Sequence, residues 1–352
     1  MLKTTLKSLL LATMLAAPVT AALAQDITLR ATATSNDQDE DYDGLVVFKN
    51  FVENASNGAI AVELFIGTQL CSKGDECLAG VADGSIDIFV STSGGAAGLF
   101  PYIQVLDLPY LMSDDRVAEH VLSSDFVREL RALMLADSDN LIRLMTVGNT
   151  GGWRSYANTQ RRIETPADLA GLRMRTVPAD LPQTLATALG AAPTPIAWPE
   201  LFTSLQTGVV EGTANGITDI MNMRFTDAGL KYLTLDNHSY MGAFWFMNNE
   251  RFLGMSDEHK RIIIDGFAAL QQATFASPKR KEIAAYDAFR AAGGEIYVPT
   301  EEQRAMFMEA AAPAFDWFRT NVRSGPEVLD SFSAYAAAAS EAIEASRAEE
   351  LN

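Results

Sequence analysis

The chain is poor in the residues that most often carry chemistry. It holds 2 cysteines and 3 histidines among 352 residues, and the histidines (His120, His238 and His259) stand far apart. That spacing argues against a Cys/His metal cluster, which needs several ligands close together. Catalytic signatures are missing as well. There is no GxSxG elbow, no HExxH, no GxxxxGK[ST] phosphate loop and no GxGxxG following a strand. The stretch GNTGG (148–152) has glycines but no helix start behind them, so it lacks the amide cradle that phosphate requires. Positive charge is scarce too. The balance of 27 Lys and Arg against 45 Asp and Glu leaves a net charge of −18, which argues against nucleic acid or an anionic membrane surface as partner. No apolar run reaches the ~20 residues that span a bilayer. These absences predict a protein that is not an enzyme, carries no cofactor or metal and does not cross a membrane.

What is present begins with an export signal. Lys3 and Lys7 precede an apolar core from Leu9 to Ala17, and Ala22-Leu23-Ala24 forms a small-x-small cleavage site. The pattern predicts a signal peptide over residues 1–24, cleaved after Ala24, and a mature chain outside the cytoplasm. In such an oxidising compartment Cys71 and Cys77, within CSKGDEC, suit a small disulfide loop better than a metal site.

Hydrophobic periodicity then gives an α/β chain. Ile27–Thr32 alternates as a strand, Leu45, Phe48 and Val52 share a helical face, and AIAVELFIG reads as the next strand. A short helix around Leu78 and Val81 leads to the buried strand SIDIFVST. Strand, helix and strand in this order imply parallel pairing. FPYIQVLDLPYLM is a proline-punctuated connection, and Asp114–Asp139 forms one or two helices. LIRLMTV is a strand expected to cross into a second lobe, with the glycines of 148–152 as a hinge or loop. Thr165 and Pro166 begin a short helix, Leu172–Thr176 is a strand, and IAWPELFTSLQTG starts a helix at its proline. From Asp257 the chain is largely helical, with Pro278 expected to kink or interrupt the first long helix. The reading divides into two lobes, 25–150 with 241–280 and 151–240 with 281–352.

A few residues stand out as binding groups. Arg173 and Arg175 lie on the same side of their strand, and spacing alone does not choose between a ligand contact and an exposed ion pair. Arg154 follows the hinge glycines on an expected loop, where binding groups often sit. Trp198 precedes Pro199 at a helix entrance and suits either a ligand or the core. Asn215, between Ala214 and Gly216, offers an amide to a ligand or to a turn. In MGAFWFMNN, Trp245 reads as core, and Phe244 on the opposite face is kept as a candidate. A cation, a flat aromatic and an amide equip a site to hold a small carboxylate, not to break a bond.

The stretch LAGLRMRTVP…LGAAPTPIAWPELFTSLQTGVVEGTAN resembles the signature region of TRAP-transporter solute-binding proteins, the DctP-type periplasmic receptors. SIDIFVST, LDLPYL and the helical C-terminal third extend the resemblance over most of the chain. It implies a two-lobed periplasmic binding protein with a hinged central cleft, which captures a small organic acid and hands it to membrane permease subunits. It places the carboxylate-clamping arginine on Arg175, the ligand-lining aromatic on Trp198, the ligand-facing amide on Asn215 and a second arginine on Arg154. It also implies contacts from the first lobe near Asn36–Tyr42, at Glu76 and over Ser91–Ser93, with Ser93 among them. A sensor of small acids without a transport partner is the alternative. The text EGTAN, where the family commonly has DGQEN, bears on ligand identity rather than fold.

Overall fold

A computed structural model describes residues 27–351, so the predicted signal peptide lies outside the described residues. The chain opens with β1 (Ile27–Ala33), α1 (Glu40–Ala55), β2 (Ile60–Ile66), α2 (Gly74–Asp83) and β3 (Ile88–Thr92). These strands pair in parallel as β2-β1-β3, as their alternation with helices implies. Asp39 caps α1, its carboxylate accepting the Asp41 N–H. The proline-punctuated connection is a largely buried 3-10 helix, Pro101–Asp107. Two helices follow, α3 (Asp115–Leu122) and α4 (Asp125–Asp137), each capped by the acid or serine before it.

The centre of the fold is a pair of 17-residue strands, β4 (Ile142–Asn158) and β8 (Tyr232–Asn248), antiparallel along their whole length. Between them in sequence come β5 (Arg173–Thr176), α5 (Asp180–Ala188), β6 (Ala192–Pro195), α6 (Leu201–Gln206), β7 (Gly212–Asn215) and α7 (Ile217–Asn222). After β8 come α8 (Asn249–Leu253), α9 (Asp257–Ala291), β9 (Glu295–Tyr297), α10 (Glu301–Ala310), α11 (Ala312–Asn321) and α12 (Gly325–Glu350). All strands join one mixed sheet in the order β2-β1-β3-β8-β4-β7-β5-β6, with β9 on β8. The last residues of β8 pair with β3, and the last residues of β4 pair with β7. The long ribbon thus serves two α/β halves, one at each end.

Two sequence expectations change. The glycines of 148–152 form no loop. They lie inside β4, where the register with β8 shifts between Asn149 and Trp153, and Gly151 and Gly152 take φ of 76° and 82°. Because both flanks pair with the same strand, the extra residues are absorbed as a bulge. Nor does Pro278 interrupt α9, which is one continuous helix of 35 residues. Its neighbours tie it down on both sides of the proline: Ser277 Oγ donates to Asp43, Lys279 pairs with Glu119, and Lys281 pairs with Asp43 at 2.8 Å.

Trp245 is fully buried in a core with Phe48, Phe267 and Leu270, between α1, α9 and the sheet. A second core around Phe225, Leu233 and Phe289 underlies the other half. The last helix, α12, returns to the first half: Phe332 meets Phe126 of α4 edge-on with ring centroids 5.1 Å apart. No described helix is long and apolar enough to cross a membrane.

Candidate functional site

A cavity of about 440 Å³ lies where the two halves face each other across the ribbon. Arg175, Arg154, Trp198 and Asn215 all line it. Arg175 sits on β5 and is 5% exposed. Arg173, two residues earlier on the same face, lies at the open end of the strand and pairs with Glu211 at 3.2 Å. Burial therefore separates two arginines that spacing left equal. Arg175 Nε donates to the Ile196 carbonyl at 2.9 Å, and its guanidinium carbon lies 5.6 Å from the centroid of the Trp198 ring. Among the described residues it makes no ion pair. Burial, and then the nearby charge of Arg154, push its pKa down to about 9, while Asp219 opposes the shift.

Arg154 belongs to β4, not to a loop, and is itself buried. It donates to the Ala214 carbonyl at 2.9 Å and lies 3.8 Å from the Asp107 carboxylate. Trp198 is half-buried and braced edge-on by Phe225. Asn215 ends β7. Its amide donates to Asp219 at 2.9 Å and its oxygen accepts from Thr213 at 2.7 Å.

Three further candidates lie away from this cavity. Glu76 is on α2, where it accepts the Ser72 N–H and hydroxyl at 2.8 and 2.9 Å. Ser93 is buried beside Asp107. Phe244 has no exposed surface and stacks on Phe246. β8 is a central strand covered on both faces, so the residue opposite a core tryptophan is core as well. From the first half, Ser91, Thr92, Asp39 and Asp41, within the stretches Ser91–Ser93 and Asn36–Tyr42 that the resemblance implied, reach the cavity, as do Ser35 and residues 72–75. Cys71 and Cys77 are disulfide-bonded with their Cα atoms 5.3 Å apart, which closes that loop at the rim. A smaller cavity of about 60 Å³ lies behind both arginines and includes His238, whose Nδ1 is 2.8 Å from Asp236.

The cavity also holds an acidic cluster, of which Asp39 and Asp41 fall in the stretch Asn36–Tyr42 that the resemblance implied, while sequence reasoning missed Asp219. Asp39 and Asp41 at the start of α1, and Asp219 in α7, line the cavity, and Glu40 lies behind them. Burial, followed by the mutual repulsion of Asp39, Glu40 and Asp219, pushes each of these three up to about 7. Burial and then Asp39 raise Asp41 well above the carboxylate range. The run NDQDEDYD reads as a polar tip with helix-start acids, and Asp219 reads as a first-turn acid of a distant helix. The tertiary fold brings them together, through the ribbon and through α9, which packs on both α1 and α7. Carboxylate oxygens of Asp39, Glu40 and Asp219 lie within 4.8 Å of one another, a reach that suits a hard cation. Glu40, however, already faces the Lys281 ammonium at 4.0 Å.

The model of the family "bacterial extracellular solute-binding protein, family 7" matches residues 31–321. The chain is 26% identical over 286 residues to the 2,3-diketo-L-gulonate-binding periplasmic protein YiaO of Escherichia coli (strain K12), covering 80% of this chain and 84% of that one. Among solved structures, a TRAP periplasmic solute-binding protein from Bordetella bronchispeptica superposes with a TM-score of 0.79 at 27% identity, covering 87% of this chain and 98% of that one. The sugar-acid-binding protein DctPAm from Advenella mimigardefordensis shares the fold with a TM-score of 0.83 at 23% identity, covering 89% and 98%.

Proposed function

The chain belongs to the bacterial extracellular solute-binding proteins of family 7, the DctP-type receptors of TRAP transporters, and on that premise we propose that Arg175 clamps the carboxylate of a small organic acid inside the cleft. It is a binding protein and not an enzyme. The observation that carries the assignment of the clamp is a buried guanidinium, without an ion-pair partner among the described residues, that lines a cavity between the halves. Such a group is costly to hold dry, and an incoming carboxylate offsets that cost with two parallel charge-assisted hydrogen bonds. Arg154 adds a second positive charge, Trp198 a flat wall and Asn215 an amide. The ligands named for two relatives, 2,3-diketo-L-gulonate and density interpreted as pantoate, are consistent with a small acid.

In this reading the lobes divide near residues 150 and 240, at the β4 bulge and its partner in β8. Closure bends the ribbon there, and α12, expected in the second lobe from its place in the sequence, goes with the first half because it packs on α3 and α4. Cleavage after Ala24 releases the chain to the periplasm, and the closed form delivers its ligand to a TRAP permease. A thermal-shift screen against small carboxylic acids, each paired with its neutral amide, tests the proposal. An acid at 1,000 times its dissociation constant adds about 4 kcal/mol to stability, and the amide adds much less. Amides that stabilise as well as their acids would refute the clamp. Copurification of a membrane permease with the ligand-loaded chain tests delivery, and a soluble signalling partner in its place would favour a sensor.

A further inference from the structure

The acidic part of the cavity lining does not suit a purely anionic ligand. Arg154 is matched by Asp107 at 3.8 Å and Lys281 by Asp43 at 2.8 Å. A bound carboxylate would match Arg175. Asp39, Asp41 and Asp219 line the cavity and make no ion pair among the described residues, although Lys281 acts on Asp39, and Arg154 and Arg175 on Asp219, from further away. Helix capping accounts for part of this group only. Asp39 accepts the Asp41 N–H at 3.0 Å, and Asp219 accepts the Asn215 amide at 2.9 Å. Asp41 Oδ1 has no hydrogen-bond partner, although the residue is 9% exposed. Ser35 Oγ, on the same wall and 6% exposed, has none either. Two buried polar atoms, Asp41 Oδ1 and Ser35 Oγ, thus go without a hydrogen bond in residues that line the cavity, a costly arrangement in the absence of a ligand group.

We propose that the cleft binds a small acid carrying a cationic nitrogen, with its carboxylate on Arg175 and its ammonium or guanidinium against Asp39, Asp41 and Asp219. The proposal rests on the carboxylate clamp described above and deepens it to a substrate class. A nitrogen cation fits better than a metal ion because the third carboxylate within reach of Asp39 and Asp219, Glu40, does not line the cavity. An ammonium directs three donors in a fan and a guanidinium five in a plane, and both find acceptors in the two aspartates of α1 and in Ser35. Hydration water is lost on both sides of the contact, so the pairing discriminates strongly against a neutral or anionic end.

Calorimetric titration of the purified chain with three matched series tests this. The members of each series match in chain length: 4-aminobutyrate, 4-hydroxybutyrate and succinate; 5-aminovalerate, 5-hydroxyvalerate and glutarate; 4-guanidinobutyrate, 6-hydroxyhexanoate and adipate. The expected result is at least one nitrogen-bearing acid binding about tenfold or more tightly than its hydroxy and dianionic analogues, the scale of one desolvated charge contact. In Asp41→Asn that ratio should collapse towards one. If this variant does not fold, the ratio in the unaltered chain decides alone. A hydroxy acid or dianion that binds best in every series would overturn the cationic class and leave the clamp standing. Dianions that bind only with millimolar Ca²⁺ would overturn it in favour of a metal. Binding of no acid in any series would take the clamp down with it.

Discussion

Replacing Arg175 should separate affinity from stability, with opposite signs. Arg175→Met keeps much of the side-chain volume and removes the charge. Burial holds the folded guanidinium at a pKa of about 9, well below its ordinary value. A cationic group with a depressed folded pKa destabilises the folded state at every pH below that value. At about 1.4 kcal/mol per pH unit, the charge in the empty cleft costs a few kcal/mol. Removing it should therefore raise the ligand-free melting temperature, or leave it unchanged once the hydrogen bond to Ile196 is lost. Affinity for a carboxylate ligand should fall by roughly 2–5 kcal/mol, the cost of breaking a desolvated charge pair, or about thirtyfold to several thousandfold. The assays are urea unfolding without ligand and calorimetry with it. A variant that is much less stable and binds weakly in proportion would refute the reasoning, because Arg175 would then be a structural cation. Arg175→Lys should recover only part of the affinity, since an ammonium cannot present two parallel donors.

Three other outcomes follow from the same geometry. The buried carboxyls Asp39, Glu40 and Asp219 hold protons up to about pH 7 when folded, whereas unfolded carboxyls ionise near pH 4. The native state therefore binds more protons between those values, so ligand-free stability should fall as pH rises from about 4 through about 7. Urea midpoints at pH 5.5 and 8 check this, and Asp219→Asn should flatten the dependence. Gly151→Ala should destabilise by more than about 1 kcal/mol, because a side chain is strained at a φ of 76° and its Cβ would lie 2.6 Å from Asp219 Cγ. Thermal unfolding measures the loss, and a neutral change would argue against a tight bulge between the halves. Replacing Cys71 and Cys77 together by serine should cost about 2 kcal/mol for so short a loop. It should also weaken ligand binding through the rim residues 72–75, and calorimetry unchanged from the parent would show that the loop does not shape the cleft.

Local order determined much of this protein. The alternation in Ile27–Thr32, the helical face of Leu45, Phe48 and Val52, and the proline and capping signals at Thr165 and Ser256 correspond to elements found in place, because periodicity and caps act over one or two turns. The signature stretch placed Arg175, Trp198 and Asn215 on neighbouring elements, and these converge because β5, β7 and the Trp198 turn are close in sequence as well as in space. Tertiary structure decided what depends on distant contacts. Arg173 and Arg175 share a face, and only the depth of β5 in the sheet makes one an exposed ion pair and the other a buried cation. Phe244 became core because β8 is covered on both sides. Pro278 stayed inside α9 because side-chain contacts hold its flanks. Asp39 and Asp219 are 180 positions apart in the numbering, and no local pattern links them. The β4–β8 ribbon, α9 packed on both α1 and α7, and the hydrogen bond from Asn222 to the Gln38 carbonyl bring the start of α1 against α7. The electrostatics of the cleft arise from that juxtaposition.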